Sequence, residues 1–172
     1  MDYIKSLIDE YKNIALSDTD LLTLMDGKAN VVVYPDIHKY RSIDRLLGNY
    51  GVCFILYEWK PHYGHWCCLI RHGNLIEFFD PYGNWPDSCL EDVPEPYRTE
   101  SNQLKPYLTN LMIKCDYDLS YNEFQFQKLD EEVKDCGRWC CVRALLKELP
   151  LKDFKDLFFN EAGDDLVTVL TS

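Results

Sequence analysis

Three polar residues sit where side-chain propensity alone would not put them, and together they could perform nucleophilic catalysis. His65 opens an apolar run in Gly64-His65-Trp66, and Asp80 ends the next such run 15 residues later. Cys136 begins an apolar helical stretch in Asp135-Cys136-Gly137-Arg138-Trp139. A cysteine attacks as its thiolate, and a free thiol of pKa about 8.5 is only a few per cent ionised at neutral pH. A helix N-terminus, with its orphan N–H groups, favours the anion, and a neighbouring imidazolium favours it further. The imidazole needs a carboxylate on its other nitrogen to fix the ring and hold its positive charge. Singly, the three have ordinary readings: a hydrogen-bonded strand histidine, an Asp-Pro turn and a small core thiol. In combination they point to a cysteine nucleophile with a histidine base.

Other residues could complete such a site. Gly137 leaves room for a substrate carbonyl to approach the backbone, and amide donors at this helix start could form half of an oxyanion hole. A side-chain amide would complete it, and Gln127 and Gln125 stand on the same side of the preceding strand-like segment. Glu77 ranks second to Asp80 as the acid, because it falls in mid-strand. His38, His62 and His72 lie in loops around the sheet and lack a carboxylate so placed.

The elements that must hold these residues follow from periodicity. Val52–Glu58, His65–Ile70 and Leu75–Phe79 are apolar or alternating runs separated by turn residues, with Arg71-His72-Gly73-Asn74 as a hairpin turn. Asn30–Tyr34 and Leu119–Gln127 read as further strands. Helical spacing predicts an opening helix over residues 2–15, a second capped at Ser17, a short one over Ser42–Leu47 and another over Leu104–Ile113. Cys136–Leu149 is apolar nearly all round, which marks a buried helix, and Phe154, Leu157 and Phe158 suggest one more. Lys128–Asp135 reads as a polar loop, and the proline-rich stretch 81–106 as a long surface loop. The order fits an α+β fold, a mixed central β-sheet flanked by helices. One domain is expected over 1–172, with its core at about 30–160.

Composition narrows the partners. The chain has 172 residues, with 18 Lys+Arg against 29 Asp+Glu and a net charge of −11. That balance argues against nucleic acid, which needs a basic face, and would suit a basic protein substrate. No run approaches the roughly 18 apolar residues of a membrane span, and no export signal opens the sequence. The eight cysteines would suggest a disulfide framework in a small secreted chain, but here a reducing compartment and mostly buried thiols are expected. Cys136-x3-Cys140 alone makes no paired zinc knuckle, so no metal is expected.

The order His–Asp–Gln–Cys resembles the adenain and SUMO-specific (ubiquitin-like) cysteine protease superfamily. It is carried by His65-Trp66, Phe79-Asp80-Pro81-Tyr82-Gly83, Phe126-Gln127 and Asp135-Cys136-Gly137. The likeness runs from about Val52 to Leu149 and is greatest to the compact members of DNA viruses and virophages. The order excludes papain-like enzymes, in which the cysteine comes first. The resemblance implies Cys136 as nucleophile, His65 as general base, Asp80 as its orienting acid, Gln127 as oxyanion donor and Trp66 lining the site. It also implies cleavage of viral capsid or structural precursors, after a small residue such as glycine, during virion maturation. Family glutamines usually lie closer to the cysteine than the nine residues separating Gln127 from Cys136, so Gln125 stays open beside it. Some members use DNA and a peptide as cofactors, and the acidic charge argues against DNA here. The expectation is a monomer without cofactor, acting in the host cytoplasm (the virus factory) or the virion, with no membrane partner. The alternative on the same chemistry is a deubiquitinase or deSUMOylase acting on host conjugates. A silent binding module that retains the fold is a third possibility, which the full set of residues disfavours.

Overall fold

Apolar runs separated by turn chemistry become one five-stranded mixed sheet in the computed structural model, which describes residues 1–130 and 134–172. Strand β1 (Asn30–Val33) lies parallel to β2 (Val52–Lys60), which pairs antiparallel with β3 (Tyr63–His72). The hairpin continues into β4 (Leu75–Phe79), and β5 (Asp118–Tyr121) adds parallel to β4. Gly73, at φ +56°, takes the left-handed conformation that the tight β3–β4 turn requires. The expected α+β class, with helices on a mixed sheet, is the one observed.

Both faces of the sheet are covered, which is why β2 reads as an unbroken apolar run instead of an alternating one. Phe54, Leu56, Trp66, Cys68 and Phe79 face α6 (Cys136–Leu145) and α7 (Leu151–Phe158). Ile55, Tyr57, Cys67, Leu69 and Phe78 face α3 (Ile43–Leu47) and the helix over Tyr107–Ile113. Every residue of α6 from Cys136 to Ala144 is buried, including two arginines. A buried charge persists only when paired. Arg143 meets this with a bidentate pair to Glu77, at 2.8 Å from each carboxylate oxygen. Burial would raise the Glu77 carboxyl, but the hydrogen bonds and charge of Arg143, with His72, outweigh it and hold it below the usual range. Glu77 is thereby committed to the helix–sheet contact and is not the acid beside His65.

The remaining helices differ from expectation in informative ways. At the N-terminus, α1 (Asp2–Tyr11) buries no residue and rests beside the tail helix over Gly163–Leu170, while α2 (Asp18–Leu24) starts at a capping box between Ser17 and Asp20. The stretch 81–106 is not a plain loop. It contains a 3-10 turn (Ser88–Asp92) and α4 (Glu95–Glu100), followed by α5 (Tyr107–Ile113), and Pro94, Pro96 and Pro106 sit at the two helix starts, where a missing N–H costs nothing. Gln103, buried there, exchanges hydrogen bonds with the backbone of Glu58 at 3.0 and 2.8 Å. Strand β5 is shorter than the predicted Leu119–Gln127 because the chain is pulled from the sheet after Tyr121. The carbonyl of Pro81 accepts from the N–H groups of Phe126 (2.8 Å) and Gln127 (3.0 Å). Helix α6 ends at Leu145, short of the expected Leu149, and Arg143 takes the freed carbonyls of Leu146 and Leu149. The tail, undecided by pattern, is α8 (Gly163–Leu170). Part of the expected loop Lys128–Asp135, residues 131–133, lies outside the described residues. Among the described residues no helix is long and apolar enough to cross a membrane.

Candidate active site

The site begins with the close approach of β2 and β3. A Cβ on Gly64 would sit 1.9 Å from the carbonyl oxygen of Tyr57, so only glycine lets the strands meet there. The next residue, His65, pairs with Tyr57 in the ladder and is 2% exposed. Its Nε2 lies 2.7 Å from Oδ1 of Asp80, which follows β4 and is fully buried. The same oxygen accepts the Tyr82 N–H at 2.8 Å. Asn122 grips the backbone of Asp80 from both sides, accepting its N–H at 2.9 Å and donating to its carbonyl at 2.6 Å.

Cys136 opens α6 at the same spot, 8% exposed. Its Sγ accepts the Trp66 N–H at 3.4 Å, and the thiol adjoins the imidazole of His65. With Nε2 on the carboxylate, Nδ1 is the nitrogen left for the thiol. Burial by itself would push His65 down. The charge and hydrogen bond of Asp80, with the adjoining thiol, outweigh it and hold the imidazolium well above the ordinary histidine value. Burial drives the thiols of Cys67 and Cys140 well up, and that of Cys141 up to about 12, which disfavours the thiolate at all three. Among the described residues one group has metal-donor chemistry, His65, Cys67 and Asp80, with donor atoms within 4.8 Å of one another. Two of its three members are already bonded to each other.

His65, Tyr82, Gln127 and Cys136 line a cleft of about 520 Å³, with Trp59 and Tyr63 among its other walls. Gln127 is 1% exposed there. Gln125 is exposed and donates from Nε2 to the Gln127 carbonyl at 2.6 Å. The two glutamines thus do not share a strand face as expected. They lie on an irregular segment, and it is Gln127 that reaches the cleft.

No protein-family model matches the chain. The uncharacterized protein V9 of the Sputnik virophage is 46% identical over 168 residues, covering 94% of this chain and 96% of V9. The chain belongs to the family of virophage protein V9. Among solved structures it is similar to the SUMO protease Ulp1 with its catalytic cysteine oxidised to a sulfinic acid (TM-score 0.43, 19% identity, 91% of this chain and 77% of that one). It is also similar to the ASFV pS273R protease (TM-score 0.49, 14% identity, 90% of this chain and 66% of that one).

Two expected site residues of this V9-family chain are placed differently from their forecast uses. The Trp66 indole does not border the Cys136 cleft. Its Nε1 donates to the Leu16 carbonyl at 3.0 Å, and the ring borders a neighbouring groove with Leu16 and Val33. The space that Gly137 leaves is filled by the protein itself, since a Cβ there would lie 3.1 Å from Trp66 Cδ1 and 3.3 Å from Leu16 Cβ.

Other residues that shape the site carry no signal in spacing. Asn122 and Tyr82 are two. Arg138 is a third, 1% exposed within the first turn of α6. It donates to the carbonyls of Tyr11 and Ile14 (both 3.3 Å) and to Thr171 (Oγ1 2.7 Å), so both ends of the chain are clamped beside Cys136. Asp135, preceding the cysteine, is raised by burial and by the nearby Asp164 charge to about 7. Only the Pro and Gly of the motif around Asp80 hint at such packing, through the turn they impose.

Proposed function

We propose that this V9-family chain is a single-domain cysteine endopeptidase that cleaves capsid or other structural precursor proteins during virion maturation. The observation that carries the reading is the buried His65–Asp80 pair at 2.7 Å beside Cys136, at a helix N-terminus and on the wall of an open cleft. In this reading the Cys136 thiol gives its proton to Nδ1 of His65 and the thiolate attacks the scissile carbonyl. The Gln127 side chain and backbone N–H groups at the start of α6 stabilise the oxyanion. The imidazolium, held by Asp80, then protonates the leaving amine, and a thioester remains on Cys136. A water molecule that loses its proton to His65 hydrolyses this thioester and restores the thiol. Substrate is a protein segment threaded through the cleft, the enzyme acts as a monomer without cofactor, and the acidic surface suits a basic precursor.

The test is incubation of the purified chain with the structural proteins encoded in its own genome, followed by mass spectrometry of new termini. Defined cleavage that is lost in Cys136→Ala and kept in Cys140→Ser supports the reading. Unchanged processing by Cys136→Ala refutes it. Labelling of Cys136 by ubiquitin or SUMO vinyl-sulfone probes, with structural proteins left intact, would assign the same chemistry to deconjugation.

A further inference from the structure

The motif Asp80-Pro81-Tyr82-Gly83 contains a residue that the reaction above leaves unused. The Tyr82 ring lies over the His65 imidazole with centroids 4.7 Å apart and planes 19° from parallel, a stacked pair. Its own N–H donates to Asp80 Oδ1, the oxygen that also holds His65 Nε2. Backbone and ring of one residue therefore hold the acid and cover the base. The next residue, Gly83 (φ +78°), lets this turn press against the loop carrying Gln127, since a Cβ there would lie 2.6 Å from the Phe124 carbonyl carbon. We propose that Tyr82 is a positioning residue for His65, whose ring holds the imidazole plane toward Cys136 and stabilises the imidazolium formed when the thiol ionises. This rests on the reading of Cys136 and His65 as the reacting pair.

The physical basis is the ring quadrupole. A cation on an aromatic face is attracted, and more so when both are desolvated, whereas neutral imidazole gains much less. The stack therefore favours the thiolate–imidazolium state over the neutral pair. Burial, then the nearby Cys136, Asp80, Asp164 and Tyr63, push the Tyr82 hydroxyl up, so the ring stays a neutral phenol and keeps its electron-rich face without a charge of its own. The groups facing His65 are Asp80 from the end of β4, Cys136 from α6 and, from its own strand, the Cys67 thiol within 4.8 Å. None of these supplies a planar wall. Without the ring, the imidazole keeps its bond to Asp80 but can swing about it.

Alkylation of Cys136 by iodoacetamide, followed across pH by peptide mass spectrometry, tests the proposal without a known substrate. The wild-type chain is expected to be alkylated at Cys136 in the acid part of the range and His65→Ala to lose that low-pH reactivity, and the midpoint of each profile is the quantity compared. Tyr82→Leu is expected to move the midpoint up by about half a unit to one unit, and Tyr82→Phe, which keeps the ring, to hold it at the wild-type value. If Tyr82→Leu does not fold, Tyr82→Met, a flexible apolar chain without a ring, carries the same comparison. A ring-deleted variant with the wild-type midpoint overturns the inference, as does a Tyr82→Phe midpoint shifted as far as that of Tyr82→Leu. A wild-type Cys136 that reacts only as a free thiol overturns the Cys136–His65 reading itself, and the inference with it.

Discussion

Gly64→Ala is the substitution for which this structure makes the sharpest forecast. A Cβ at this position would lie 1.9 Å from the Tyr57 carbonyl oxygen, 2.8 Å from its carbonyl carbon and 2.9 Å from Cα of Glu58. All three are backbone atoms of the paired strand and cannot rotate away. Real Cβ atoms essentially never come closer than 3.0 Å, so β2 and β3 must part by about 1.1 Å. Overpacking of this kind costs about 1–3 kcal/mol, or a fall in Tm of about 2–12 °C for a chain of this size. The functional cost is separate and larger. His65 is the next residue, and a displacement of about 1 Å in a reacting group can lower a rate about 10²-fold. Initial rates on a peptide spanning a mapped cleavage site, with thermal melts alongside, measure both. A folded Gly64→Ala chain that keeps activity within about threefold of wild type would refute the claim that this glycine sets the position of the base.

Asp80→Asn should keep the fold and lower the turnover rate by about 10²–10⁴, since the imidazole loses the charge that stabilises its protonated form. Because the His65 pKa is raised, the alkaline limb of the wild-type pH–rate profile should lie above the ordinary histidine value, and in Asp80→Asn it should move down. Arg143→Met leaves the Glu77 carboxylate buried without its main partner and should cost about 3–5 kcal/mol in urea unfolding. With the Glu77 pKa lowered from 4.5, the pair's contribution is present above that value and lost as pH falls through the lower folded one, so acid should narrow the gap between wild type and variant. Asp135, raised from 3.8 to about 7, contributes in the opposite sense: its stabilisation is full below the unfolded value and lost as pH rises through about 7. Asp135→Asn should therefore show a smaller fall in Tm than wild type between about pH 5 and about pH 8.

What could be read in advance and what could not divide along physical lines. The four longer strand and helix signals of the centre were legible because both sheet faces are buried, which makes Val52–Glu58 and Leu75–Phe79 apolar runs bounded by turns. His65, Asp80 and Cys136 are legible only in combination, because each has an ordinary structural reading and only the three together make up a nucleophile, a base and an orienting acid. The illegible parts depend on contacts between distant segments. Nothing local shows that Pro81 will take two N–H groups from the chain at Phe126 and Gln127, and this bond pair ends β5 early and separates Gln127 from Gln125. Asn122 is an ordinary loop residue until its amide is seen to fit the Asp80 backbone. Glu77 read as a reserve acid because its partner, Arg143, lies 66 residues away. Prolines in 81–106 read as loop markers, although the same residue also starts helices.

The Arg138 clamp also bears on the order in which the molecule comes together. Its hydrogen bonds to Tyr11 and Ile14 join residues 127 and 124 apart in sequence, and its bonds to Thr171 span 33 more. Contacts of such separation carry the largest loop-closure cost and are made late, after the local β2–β3–β4 hairpins have formed. During synthesis from the N-terminus, residues 11–14 have no guanidinium to bind until residue 138 has emerged. The strands that carry His65 and Asp80 can therefore pair well before the helix that carries Cys136 is seated. On the proposed reading of Cys136 as nucleophile and His65 as base, the two reacting groups therefore meet only when most of the chain is in place, and topology alone withholds the pair from a partly made chain.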